Sequence, residues 1–99
     1  MMINVSFKHM SASDAIRDYA TEKTERLKKY FNGKTHVTWT FSVEKTEHIA
    51  HCHLVGNHMD YFGEATNDSL QESIDMALEK IEKQVKKHKE IVKDHLHKS

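Results

Sequence analysis

The sequence predicts an α+β fold in the order β-α-β-β-β-α, a four-stranded sheet with two helices packed on one face. Two segments, residues 14–31 and the stretch from about residue 70 onward, repeat apolar side chains at steps of three and four, as amphipathic helices do. Residues 37–43 alternate apolar and polar side chains, which is typical of a strand. Two further predicted strands follow after short turns, and this arrangement indicates an antiparallel meander.

The first part of the chain is predicted to contain one strand and one helix. Residues 3–7 alternate between apolar and polar side chains and indicate a strand. Ser11 and Asp14 have the spacing of a capping box, which predicts that a helix starts here. That helix is expected to end at Asn32-Gly33, where glycine is free to adopt the left-handed conformation.

The second part is predicted to contain three strands, residues 37–43, roughly 48–56 and 61–66, followed by a long helix capped at residue 67, 68 or 69. Side chains of a strand alternate between the two faces of the sheet. The face toward the helices is expected to carry Val37, Trp39, Phe41, Val43, Ala50, Cys52, Leu54, Tyr61, Gly63 and Ala65. The open face is expected to carry Thr38, Thr40, His51, His53, Phe62 and Glu64.

Length and composition narrow the class of protein. A chain of 99 residues is expected to form one small domain, residues 1–99. No apolar run approaches the length of a membrane span, and no secretory signal is recognisable, so no membrane partner is expected. Cys52 is the single cysteine, which is consistent with a reducing cytoplasm.

Charge is distributed unevenly along a chain whose formal net charge is zero. Residues 1–31 carry six basic and four acidic side chains, residues 32–75 carry two and seven, and residues 76–99 carry seven and four. The net charges are therefore +2, −5 and +3. If both helices pack on one side of the sheet, the molecule has a basic helical face and an acidic sheet face, so any attraction for a polyanion is local.

The final helix concentrates the basic residues beside an apolar stripe formed by Leu70, Ile74, Ala77, Leu78, Ile81, Val85 and Val92. At about 100° per residue, one flank of the stripe carries Lys80, Lys83 and Lys87. The other flank carries Lys86, Lys89 and Lys93. These flanks suit a polyanion, but a solvated surface with ordinary ion pairs such as Glu22–Arg26 and Glu79–Lys83 explains the same pattern.

Metal binding and catalysis are not expected, although the chain has nine histidines. His51 and His53 share one face of a strand while Cys52 points to the other, so the three cannot converge on one ion. Cys52 is predicted to be buried and therefore inert. No glycine-rich phosphate loop or paired-acid pattern is present in the sequence. We therefore predict that the protein is not an enzyme and uses no metal or cofactor.

Several segments in a fixed order carry a resemblance to a known family. They are residues 13–20 with Lys23, Arg26, Leu27, Tyr30 and Phe31, the strand end 43–45, and residues 73–75, 80–81 and 83–89 of the last helix. Over about residues 2–95 the chain resembles the short bacterial ribosome hibernation-promoting factors and ribosome-associated translation inhibitors, also known as sigma-factor modulation proteins. It matches the short type, which stops just past the last helix.

This resemblance implies a fold similar to double-stranded RNA-binding domains and a role in ribosome hibernation. Such a protein would bind the small ribosomal subunit in the mRNA and tRNA channel, block translation in stress or stationary phase, and favour pairing of inactive ribosomes. It would be monomeric when free, with no small-molecule substrate. The side chains expected to hold rRNA are Arg17, Lys23, Arg26, Lys28, Lys45, Lys80, Lys83, Lys86, Lys87, Lys89 and Lys93.

Two other functions fit the same sequence. The acidic sheet face could dock a protein partner, as the sigma-factor designation suggests, or the chain could be a general double-stranded RNA-binding domain. Salt separates an RNA-binding plug from an apolar docking module, because phosphate contacts weaken steeply as the salt concentration rises.

Overall fold

The computed structural model describes the backbone of residues 1–31 and 33–98, and the side chains of these residues as far as residue 88. Its elements are β1 Met2–Lys8, α1 Asp14–Glu25, a 3₁₀ helix Arg26–Tyr30, β2 His36–Glu44, β3 Glu47–Gly56, β4 Met59–Asn67 and α2 Leu70–Lys98. The predicted order β-α-β-β-β-α is confirmed.

The four strands form one mixed sheet in the order β1-β2-β3-β4. β1 pairs with β2 in parallel, which α1 makes possible by carrying the chain back along the sheet. β2, β3 and β4 are antiparallel neighbours, so the predicted meander is confirmed. One row across the sheet joins Val5, Trp39, Cys52 and Gly63 beneath the helices.

α1 begins two residues later than the sequence pattern predicted. Ser13, not Ser11, is the N-cap, because its side chain accepts a hydrogen bond from the backbone N–H of Ile16 at 3.3 Å. Asp14 is then the first helical residue, where its negative charge lies close to the positive end of the helix dipole. The carboxylate therefore supports the start of the helix without completing a capping box.

The predicted first helix also ends differently. The α-helical hydrogen bonding stops at Glu25, and residues Arg26–Tyr30 continue as a 3₁₀ helix. Tightening of a helix end into 3₁₀ geometry is common and rotates the last side chains relative to a straight helix. Gly33 has a φ of 90°, as the prediction of a left-handed glycine requires, whereas Asn32 lies outside the described residues.

α2 begins after Ser69, which settles the choice among the three predicted caps. The Ser69 hydroxyl accepts from the backbone N–H of Glu72 at 3.4 Å, and the Ser69 carbonyl accepts from Ser73 N–H at 3.0 Å. The predicted apolar stripe is buried at Leu70, Ile74, Ala77, Leu78, Ile81 and Val85. The side chain of Val92 lies outside the described part.

A series of two buried hydrogen bonds fixes α1 to the centre of the sheet. The indole Nε1–H of Trp39 donates to the Thr24 hydroxyl at 2.9 Å, and that hydroxyl donates to the Ala20 carbonyl at 2.5 Å. All three residues are fully buried. Because an unpaired indole N–H would be costly in the core, Thr24 determines how α1 sits over β2.

α2 approaches the sheet closely at Gly63. A Cβ atom at this position would lie 2.3 Å from the Ala77 carbonyl oxygen and 3.0 Å from a side-chain carbon of Ile81. The absence of a side chain therefore lets α2 pack directly on the backbone of β4.

The predicted division of the sheet into two faces is largely confirmed. Nine of the ten residues expected under the helices are buried, Gly63 among them. Val43 is only half-buried, because it lies near the end of β2 at the rim of the helical layer.

None of the described helices has a stretch long and apolar enough to cross a lipid bilayer.

Candidate nucleic-acid interface

The basic residues predicted on the first helix all lie on α1 or its 3₁₀ extension, but their surroundings differ. Arg17 pairs with Asp14 at 3.1 Å, and its guanidinium lies 5.7 Å from the centre of the Phe7 ring. Lys23 is half-buried, with Nζ 5.4 Å from the centre of the Tyr19 ring. Arg26 and Lys28 are exposed on the 3₁₀ helix, where Lys28 lies 3.9 Å from a Glu25 carboxylate oxygen. The predicted Glu22–Arg26 ion pair is absent from the described residues.

α1 and α2 run side by side in the same direction. Near their starts, the hydroxyl of Tyr19 donates to both carboxylate oxygens of Asp75, at 2.8 and 2.9 Å. Desolvation by partial burial is the main cause that raises the pKa of Tyr19, and the hydrogen bond to the Asp75 carboxylate raises it further. Further along, Lys86 of α2 lies close to Tyr30. The helical face is therefore built on a fixed pair of helices.

The four α2 lysines whose side chains are described, Lys80, Lys83, Lys86 and Lys87, lie in three environments. Lys83 pairs with Glu79 at 3.2 Å, as predicted, and Lys86 pairs with Glu82 at 3.1 Å. The hydrogen bond from Lys86 to Glu82 is the main cause that raises the pKa of Lys86.

Lys87 is exposed on the outer surface of α2. Lys80 reaches the edge of β4, where its Nζ donates to the Glu64 carbonyl at 2.6 Å. Its neighbour one turn later, Gln84, donates to the Phe62 carbonyl at 2.6 Å. These two bonds satisfy carbonyls that an edge strand leaves without a strand partner, so Lys80 has a structural contact as well as a charge.

A groove of mixed charge separates α1 and its 3₁₀ extension from α2. It is lined by Lys23, Arg26, Leu27, Lys29, Asp75, Leu78, Glu79 and Glu82. The cations come from the first helical segment and the carboxylates come from α2. The sequence predicted a basic helical face, but the structure places an acidic row, Asp75, Glu79 and Glu82, between the basic rows of the two helical segments.

Lys45 lies apart from the other predicted RNA-binding residues, in the turn between β2 and β3. Its φ of 56° places it in the left-handed region, and its side chain is exposed. The nearby start of β3 meets the start of α2, because Ser73 Oγ donates to the His48 carbonyl at 2.7 Å. Lys45 therefore belongs to the end of the molecule where α2 begins.

Two of the predicted RNA-binding residues cannot be placed by their side chains: those of Lys89 and Lys93 lie outside the described part of the chain.

The predicted open face of the sheet carries its aromatic residue in a fixed position. Phe62 is 52% exposed, and its ring stacks on that of His53 with centres 4.0 Å apart and planes 5° apart. His51 is tilted against the same ring at 5.5 Å. Within the described residues, no group of three or more His, Cys, Asp and Glu side chains is arranged to hold a metal ion.

Cys52 lies under the helices and is fully buried, as the alternation predicted. Burial raises the pKa of its thiol far above the usual range, because the apolar core disfavours the thiolate. The reactive form of the side chain is therefore suppressed.

Sequence reasoning missed two features of the helical face. Lys29 lines the groove. It was missed because the sequence predicted one straight helix, in which nothing distinguished Lys29 from the selected Lys28. The Tyr19–Asp75 bond was also missed, although both residues belong to the segments that carry the family resemblance. Helical periodicity within each segment indicates which side chains share a face, but not which residues of two helices meet.

Comparison with known proteins defines the class. The chain belongs to the family described as sigma 54 modulation protein / S30EA ribosomal protein, whose model matches residues 3–93. Among solved structures, it is similar to the N-terminal domain of Thermus thermophilus Protein Y, with a TM-score of 0.83 and 27% identity over 89% of this chain and 99% of that one.

Two curated relatives are each named ribosome hibernation promoting factor. The protein from Azotobacter vinelandii is 31% identical over 90 residues, which cover 91% of this chain and 84% of the relative. The protein from Escherichia coli strain K12 is 27% identical over 95 residues, which cover 96% of this chain and all of the relative.

Proposed function

We propose that this protein is a ribosome hibernation factor that binds the small ribosomal subunit in the mRNA and tRNA channel and blocks translation. The observation that carries the proposal is the similarity to ribosome hibernation promoting factors over more than nine-tenths of the chain. The basic rows on the two helices supply a physical means of binding rRNA.

The proposed mechanism is occupation, with no bond made or broken. Lysine and arginine side chains that neutralise phosphates release condensed counterions, and this release favours binding. Folded RNA presents its phosphates and sugars more readily than its base edges, so a rigid surface of spaced cations is suited to it. Once bound, the protein excludes mRNA and tRNA from the volume that it fills.

The acidic row in the groove determines where phosphates are expected to lie. Asp75, Glu79 and Glu82 repel phosphates from the groove itself. We therefore expect RNA backbones along two separate tracks, one beside Arg26 on the 3₁₀ helix and one beside Lys87 on the outer side of α2. Two tracks demand a particular spacing between RNA strands, which favours one folded RNA site over arbitrary duplexes.

The ion pairs along α2 do not prevent this binding. The Lys83–Glu79 pair is exposed, with 75% and 65% of the two side chains accessible. Pairs of this kind stabilise a protein by only about 0–1 kcal/mol, so Lys83 can exchange its carboxylate partner for a phosphate at little cost. Lys80 is less free, because its ammonium occupies the edge of β4.

The physiological part of the proposal is that one domain, residues 1–99, acts in the cytoplasm during stress or stationary phase and favours pairing of inactive ribosomes. The free protein is expected to be a monomer that joins its ribosome without a cofactor, a small-molecule substrate or a membrane.

Sedimentation with purified ribosomal subunits tests the proposal. The protein should pellet with small subunits and not with large ones, and prior loading of mRNA and initiator tRNA should reduce its binding. Binding to both subunits and to a generic RNA duplex with similar affinity would indicate a general double-stranded RNA binder instead. Failure to bind either subunit at low salt would contradict the proposed function.

A further inference from the structure

The open face of β4 carries an aromatic ring between two carboxylates. Asp60, Phe62 and Glu64 occupy alternate positions of the strand, so all three point away from the helices. Residues two apart on a strand are separated by about 7 Å, which places each carboxylate within reach of a group that contacts the ring. We call these three residues the β4 strip.

The ring of the β4 strip is held in place before any partner arrives. His53 covers part of Phe62 in a nearly parallel stack, with ring centres 4.0 Å apart. The imidazole of His53 is in turn fixed by a contact of 2.6 Å between its Nε2 and Asp60 Oδ1. Half of Phe62 is nevertheless exposed. A partner that stacks on the ring therefore loses little free energy to ordering it.

The surrounding charge selects the sign of the partner. By register, the open face carries the carboxylates Glu44, Glu47, Asp60 and Glu64. Lys8 is the only lysine or arginine among the strand residues of this face, all of which lie within the described chain. The strand residues of this face therefore have a summed formal charge of −3 with the histidines neutral, and Lys80 of α2 adds one cation at the β4 edge. The sign of the charge is opposite to that of the basic rows on the helices.

We propose that the β4 strip binds an arginine side chain of a basic, extended protein segment. A guanidinium is flat, stacks on aromatic rings, and pairs with carboxylates through two parallel hydrogen bonds. It can therefore contact Phe62 while pairing with Asp60 or Glu64. A lysine ammonium can satisfy only part of this arrangement, because it lacks the flat surface.

A nucleic-acid base is a poorer occupant of the same surface. A base could stack on Phe62, but its phosphate would then approach Asp60 and Glu64. The partner on this face is thus distinct in chemistry from an RNA bound by the helices, and the proposal does not depend on the ribosomal function.

The experiment uses a short blocked peptide in which arginine alternates with glycine, titrated into the isotopically labelled full chain at low salt. The backbone amide resonances of Asp60, Phe62 and Glu64 should shift, and a matched lysine peptide should bind more weakly. Phe62→Ser should lower the affinity for the arginine peptide by about 2- to 5-fold, the effect expected for an exposed cation–π contact.

A double substitution on each face controls for general charge attraction. Asp60→Asn with Glu64→Gln should weaken binding by about 2- to 10-fold. Glu22→Gln with Glu72→Gln changes the net charge equally at exposed helical positions and should have little effect. Equal losses in both double variants, or shifts confined to the helices, would overturn the proposal. So would a finding that oligouridylate binds through Phe62 while the arginine peptide does not.

Discussion

The hydroxyl of Tyr19 and the carboxylate of Asp75 join the two helices of this protein. The phenolic oxygen lies 2.8 and 2.9 Å from the two oxygens of Asp75, so one donor is shared by both. The bond crosses from α1 to α2 at the end of the groove that separates their basic rows. It therefore sets the distance between the two surfaces that we expect to contact RNA.

Tyr19→Phe should lower the free energy of unfolding by about 1 kcal/mol, since it removes one hydrogen bond to a charged acceptor at a partly exposed site. For a domain of this size the melting temperature should fall by about 4–8 °C. Chemical denaturation measures the change, and Asp75→Asn, which retains an acceptor oxygen, should cost less. A Tyr19→Phe protein as stable as the wild type would show that the bond does not hold the helices together.

Alkaline pH should remove the contribution of the same bond. The folded protein raises the pKa of Tyr19 above its usual value of 10.0. The stabilisation is therefore complete below about pH 10 and is lost as the pH rises through the folded-state value. The difference in stability between wild type and Tyr19→Phe should be large near about pH 8 and shrink above about pH 10. Tyr61, whose pKa burial also raises, is present in both proteins and cancels. An unchanged difference would contradict the assignment.

Thr24→Val should destabilise the protein by about 1–3 kcal/mol, because it leaves the buried Trp39 indole N–H without its acceptor. Thr24→Ser retains the hydroxyl and loses only a methyl group, which should cost about 1 kcal/mol. Urea titration monitored by Trp39 fluorescence measures both variants. If the valine variant proves the more stable of the two, the indole bond is not what fixes α1 on the sheet.

Gly63→Ala should lower stability by about 1–3 kcal/mol, since the new Cβ collides with the Ala77 backbone carbonyl. Gly56→Ala is a matched control in the neighbouring strand, where the added Cβ lies 2.8 Å from the flexible terminal methyl of Met59. That methyl can move, so the control should lose less. Comparable thermal melts for the two variants would mean that α2 does not pack tightly against β4.

Much of the fold was predictable because it depends on local periodicity. The alternation around Trp39 and the helical spacing around Ile81 each identify an element and its buried side without reference to the rest of the chain. The exact start of α1 was less predictable, since Ser11 and Ser13 are both competent caps and the choice depends on which one the incoming chain orients. The same holds for the change to 3₁₀ geometry at Arg26, which no residue type in the segment requires.

The candidate site was less predictable than the fold. Sequence patterns identified the exposed lysines, but they could not show that Asp75 and Glu82 would lie between the basic rows. They also could not show that Lys80 would reach the β4 edge. Both facts depend on how one helix is rotated against its neighbours, and that rotation is set by tertiary contacts such as the approach of α2 to Gly63.

The salt dependence of binding to purified small ribosomal subunits tests the central claim most directly. The logarithm of the binding constant is expected to fall linearly with the logarithm of the salt concentration. Lys83→Gln with Lys87→Gln should reduce the magnitude of that slope by roughly 1.4–1.8 if each lysine contacts one phosphate. Lys8→Gln with Lys34→Gln removes the same charge from exposed positions away from the helical face and should leave the slope unchanged. Circular dichroism should show all variants folded. The account is contradicted if the Lys83/Lys87 variant keeps the wild-type slope and affinity, or if both pairs of substitutions reduce them equally.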